Sequence, residues 1–137
     1  MLEALLSATI NNQVNISICS FVSTSGTVDK QDNDWLFEKF QVDEFYSKHY
    51  MPGVSACGKL YLRRCFKEHR FPVGKLHEDA FTIYKILFEE SYIAFTEAGM
   101  YYCYTNEESI TRAKWHPKRL EEITAVEEQL VFFKKNG

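Results

Sequence analysis

Arg70-Phe71-Pro72-Val73-Gly74-Lys75-Leu76-His77-Glu78-Asp79 is the stretch from which the rest of the chain can be ordered. Pro72 and Gly74 force a turn, and a histidine and two adjacent carboxylates follow. Ala80, Phe81, Tyr84, Leu87 and Phe88 then recur at helical spacing, which predicts a helix over residues 79–90. Glu78 and Asp79 are expected in its first turn, where free N–H groups and the positive end of the helix dipole favour an ionised carboxylate. A carboxylate held ionised at the mouth of a loop suits a general base. Acidic residues are also common in first helical turns for stability alone, and on spacing alone this second reading is favoured, since neither carboxylate has a visible partner.

Outward from this segment, helical and extended patterns alternate. Leu2, Leu5, Leu6 and Ile10 mark a short amphipathic helix ending near Asn11-Asn12. Residues 14–21 alternate, with Val14, Ile16 and Ile18 facing one way and Asn15, Ser17 and Cys19 the other, which predicts a strand. Residues 23–34 are polar; Asp29, Asp32 and Asp34 fail the spacing of a calcium loop. Over residues 35–46 the apolar positions Leu36, Phe37, Phe40 and Val42 are helix-like at the start and then irregular, and Asp34 could cap a helix beginning there. Met51-Pro52-Gly53 reads as a break, residues 54–61 as extended, and residues 62–66 as a turn or two of helix. Tyr92-Ile93-Ala94-Phe95 and Met100 to Tyr104 read as two strands of a hairpin-like pair around a Glu97-Ala98-Gly99 turn. After Pro117, a stripe of Leu120, Ile123, Val126, Leu130 and Phe133 predicts a long amphipathic helix. The expected fold is one α/β domain over residues 1–137: a small mixed sheet with four to five helices.

Composition narrows the function classes. Of the 137 residues 45% are hydrophobic, with eleven Phe, eight Tyr and two Trp, which is enough for a core and argues against disorder. The net charge is −3 and the basic pairs Arg63-Arg64 and Lys134-Lys135 are short, so a nucleic-acid face is not expected. Cys19, Cys57, Cys65 and Cys103 form no Cys-x-x-Cys pair and have no zinc-ligand spacing, so a reduced, cytoplasmic protein is the simplest account. No apolar run is long enough to span a bilayer and no signal peptide is evident.

Phe71-Pro72-x-Gly74-Lys75-x-His77-Glu78-Asp79, preceded by Ala56-Cys57-Gly58-Lys59-Leu60-Tyr61, resembles the acceptor half of bacterial family-2 glycosyltransferases, the inverting enzymes of the GT-A fold. Tyr101-Tyr102-Cys103-Tyr104 and Glu108-Ser109-Ile110-Thr111-Arg112 look like that family's aromatic strand and Ser-Ile loop, in the same order and spacing. The four blocks cover most of the chain between about Ser55 and Arg112.

The resemblance implies transfer of a sugar from a nucleotide-sugar donor to a saccharide or cell-envelope glycan acceptor with inversion. Asp79 is then the base, and Glu78, His77, Lys59, Ser109 and Arg112 line the acceptor site. For His77 a purely structural role, and for Lys59 a surface position, remain open beside these. The family also holds a divalent metal, Mn or Mg, on an Asp-x-Asp motif that ends its nucleotide-binding half. That motif and half are missing here; Asp32-Asn33-Asp34 has the literal form on the wrong side of the strand. The chain is therefore expected to be the acceptor-side half of a catalytic domain, inactive alone. Related complete enzymes often work at the cytoplasmic face of the membrane. Loss of the flanking strands would leave residues 14–21 on an open sheet edge, with homodimerisation as the expected consequence. The alternative from another class is a non-catalytic carbohydrate- or protein-binding module using the aromatic surface.

Overall fold

A computed structural model describes residues 1–28, 35–105 and 115–136. It is a mixed α/β fold built on a four-stranded sheet of order β2-β4-β1-β3. The strands are β1 (Ile16–Thr24), β2 (Glu38–Gln41), β3 (Lys59–Tyr61) and β4 (Tyr92–Tyr104). The helices are α1 (Leu2–Asn12), α2 (Val42–Lys48), α3 (Tyr50–Val54), α4 (Ile83–Phe88) and α5 (Glu121–Asn136), with 3-10 turns at Arg63–Phe66 and Pro117–Leu120. β1 pairs parallel with β4 and antiparallel with β3, while β2 pairs antiparallel with β4.

β1 is covered on both faces. Ile16 and Ile18 pack with Ile93, Phe95, Phe45, Ile83 and Leu87 in the main core under α2 and α4. Ser17 and Cys19, on the opposite face, are also fully buried, because α1 lies over them. The Ser17 hydroxyl donates to the Leu5 carbonyl at 2.8 Å and the Thr9 hydroxyl donates to Ser17 Oγ at 3.0 Å, so the polar member of the strand is satisfied inside. The open edge expected for this strand is not found. β3 and β4 flank it, since the chain returns through α4 and lays β4 parallel beside it.

The expected hairpin around Glu97-Ala98-Gly99 is one continuous strand, β4. The register against β1 jumps there, from Cys19 opposite Thr96 to Ser20 opposite Gly99. The turn-like residues are a bulge. Gly99 permits it: a Cβ there would come within 2.3 Å of Val22 Cγ2.

Three other expectations shift. The residues read as a helix after Asp34 instead give β2, then α2, because Phe40 turns into the ring cluster of Phe45 and Phe95. Asp34 itself and the other loop aspartates lie outside the described residues. Met51-Pro52-Gly53 does not break the chain but sits inside α3, where Gly53 lets Tyr46 pack within 2.9 Å of its Cβ position. In α5 the buried residues are Ala125 and Gln129, with Phe132 and Phe133 half-buried, whereas Leu120, Ile123 and Leu130 of the expected stripe are each more than half exposed. Gln129 decides that rotation. Its amide donates to the Ala80 carbonyl at 2.7 Å and accepts from the Tyr46 hydroxyl at 3.0 Å, bonds that form only if it points inward.

Gly58 fixes the edge where β3 begins. Its φ is +65°, and a Cβ would stand 2.7 Å from the Cys19 carbonyl oxygen. The two backbones are tied there by a 2.8 Å hydrogen bond from the Cys19 N–H to the Gly58 carbonyl. Gly58→Ala is expected to cost about 2 kcal/mol or more, from the left-handed backbone and the clash together. Gly74, also left-handed at φ +79° but with open space around it, is the matched control and should lose only about 1 kcal/mol on Gly74→Ala. Urea unfolding of the two variants measures the difference.

Candidate functional site

The segment after the Arg63–Phe66 turn runs as irregular backbone to α4. Gly74 makes the expected turn, and His77 follows with its own positive φ of 57°. The helix begins later than its periodicity suggests, at Ile83 instead of residue 79. Residues 79–82 form a tight turn in which the Asp79 carbonyl accepts from the N–H groups of Thr82 and Ile83, both at 2.9 Å. The Thr82 hydroxyl donates back to the Glu78 carbonyl at 3.0 Å, a local bond that competes with regular helix. Glu78 and Asp79 thus stand in a turn ahead of the helix, not in its first turn.

Asp79 is half-buried and anchored. Its Oδ1 accepts from the Ala80 N–H at 2.9 Å and its Oδ2 from the Ala56 N–H at 3.2 Å. A carboxylate offers about four lone-pair positions, so two such bonds fix its orientation and leave room for another donor. The Ala56 bond joins the turn to the residues that lead into β3. Lys59 and Tyr61 alternate along β3 and so share one face of it.

The Lys59 amine donates to the Pro52 and Ser55 carbonyls. Burial pushes its pKa down to about 7, against the opposing pull of Cys57, Asp79 and Cys19. Lys59 is therefore no surface lysine. The Tyr61 hydroxyl is buried with no hydrogen-bond partner among the described residues. Burial raises its pKa, and the charges of Cys65, Asp79 and Cys57 raise it further, so the phenol keeps its proton.

The charge of Asp79 reaches both Lys59 and Tyr61. His77 is half-buried, and its carbonyl accepts from the Ala80 N–H at 3.0 Å, which braces the turn. Glu78 is exposed, and its backbone carbonyl is the part used within the turn. Ser109 and Arg112 lie outside the described residues. Tyr61 is the residue that sequence reasoning missed, although its position two along from Lys59 in an extended run was a usable signal. Among the described residues no cluster of His, Cys, Asp and Glu forms a metal-binding group. The hydrogen-bond partners of Asp79 among the described residues are backbone N–H groups. A divalent ion finds no fitting ligand set there. Among the described residues no helix is long and apolar enough to cross a membrane.

The Lys59 environment has a pH signature. The unfolded chain keeps the lysine proton up to its ordinary value of 10.5, whereas the folded chain gives it up near 7. Between those values the unfolded state binds more protons, so the unfavourable contribution of Lys59 is full below about pH 7 and fades as pH rises through the window. Stability of the native chain relative to Lys59→Met should therefore increase between pH 6.5 and 9.5. Urea unfolding at the two pH values checks this; a constant difference would mean that the amine is solvated.

No protein-family model matches this chain, and no curated protein matches it.

Proposed function

We propose that this chain carries the acceptor side of an inverting glycosyltransferase active site, with Asp79 as the general base. An acceptor hydroxyl attacks the anomeric carbon of a nucleotide-sugar. As the new C–O bond forms, the bond to the departing nucleoside diphosphate breaks and the hydroxyl proton passes to the Asp79 carboxylate. One carboxylate suffices for such a single displacement. Lys59 and Tyr61 lie close enough to Asp79 to feel its charge.

The observation that carries this reading is the Asp79 carboxylate itself, half-buried and oriented by two backbone N–H groups from separate segments. Such anchoring is how a base is held in reach of one substrate proton. The four motif blocks that resemble family-2 enzymes support the reading from the sequence side. Transfer from radiolabelled nucleotide-sugars, measured in extracts of cells that make the protein, tests it by comparing the native chain with Asp79→Asn. Transfer that persists undiminished in the variant would leave a binding module as the better description.

A further inference from the structure

We propose that the groove between residues 68–75 and helices α4 and α5 binds an anionic group, a carboxylate or phosphate ester, carried by the acceptor glycan. This inference rests on the acceptor-side reading of the Asp79 turn and adds the chemical class of the acceptor.

The groove holds about 300 Å³, and Arg70, Lys75 and Lys85 line it together with His69 and the carboxylates of Glu68 and Glu128. Its floor includes Phe81 and Thr82, which belong to the turn that carries Asp79. The cations are not all spoken for. Lys85 meets Glu128 at 3.6 Å and Lys75 meets Glu121 at 3.8 Å, long contacts between partly exposed groups that hold little energy. The Arg70 guanidinium makes no hydrogen bond or ion pair among the described residues. An arginine with a free planar fork suits two parallel hydrogen bonds to a carboxylate or phosphate. Lys75 also lies over the Phe81 ring at 5.2 Å, so its stem and the ring make an apolar wall beside the charge. A sugar carrying an acid has this mixed character: an apolar ring face and a bidentate anion.

Isothermal titration of the full chain with glucuronic acid, glycerol 3-phosphate, inorganic phosphate and glucose tests the assignment. The expected result is binding of the first two, weakened by added salt, with glucose silent. Arg70→Gln and Lys75→Gln should each weaken binding about tenfold or more, the scale of one charged hydrogen bond. Both residues are exposed, so their loss leaves the core intact. Inorganic phosphate binding in place of the two organic acids would assign the groove to free phosphate and overturn the proposal. So would equal binding of glucose, no binding at all, or indifference to both substitutions. A silent groove beside an Asp79-dependent transferase sinks only this inference, and a binding groove beside an Asp79-independent protein sinks only the catalytic one.

Discussion

Asp79→Asn is expected to lower sugar transfer by about a hundred- to ten-thousand-fold, the range a positioned general base contributes. The substitution keeps the shape of the side chain and removes its ability to take a proton. One carboxylate oxygen becomes an amide oxygen that still accepts from Ala56 or Ala80, and the other becomes an NH2 facing a donor. The fold should lose about 1 kcal/mol, one ordinary hydrogen bond. Asp79→Ala removes both bonds and unpins the turn from the residues before β3, so it mixes a structural cost with the chemical one. Glu78→Gln is the discriminating companion. Glu78 is exposed and its carboxylate is not the group that ties the turn together, so its loss should reduce transfer far less than the loss of Asp79. Initial rates of the three variants, read beside their urea midpoints, separate catalysis from folding. The reverse ranking of Asp79 and Glu78 would move the base to the neighbouring carboxylate.

Gln129→Leu is expected to destabilise the fold by about 3 kcal/mol, from buried polar groups left without partners. Leucine fills similar space but leaves the Ala80 carbonyl and the Tyr46 hydroxyl unpaired, and Tyr46 is 7% exposed. The Tyr50 hydroxyl, 3.4 Å from the same amide oxygen, sits on an exposed residue and can turn to water. A reading of the helix from its apolar stripe gives the opposite ranking, with Ile123 and Leu130 essential and Gln129 free to vary. In the structure Ile123 is 58% exposed and Leu130 53%, so Ile123→Ala should change stability by less than about 0.5 kcal/mol. Urea unfolding of both variants distinguishes the two rotations of α5. Because Gln129 bonds to Ala80, next to Asp79, the same variant should also loosen the turn that holds the candidate base.

Much of the local structure was legible in the residues. The α1 helix, the β1 strand, the Gly74 turn and the long final helix follow from periodicity and from glycine and proline placement, which act over a few residues. Two of the errors arose where a distant partner overruled the local signal. Glu97-Ala98-Gly99 has turn chemistry, yet pairing with β1 on one side and β2 on the other turns it into a bulge. The helical start after Asp34 gave way to β2 because β4 offered an edge to pair with.

The site divides in the same way. The sequence by itself determined that two carboxylates follow a Pro-Gly turn, that Lys59 lies in an extended run, and that the chain is an α/β fold. It did not determine which carboxylate is oriented, because Asp79 is chosen by an N–H that Ala56 contributes from another segment of the chain. Nor did it show that the Lys59 amine is enclosed, since that depends on α3 and the residue after it folding back to place the carbonyls of Pro52 and Ser55 around it. Such hydrogen bonds and the desolvation they accompany have no period to read, and only the assembled chain supplies them.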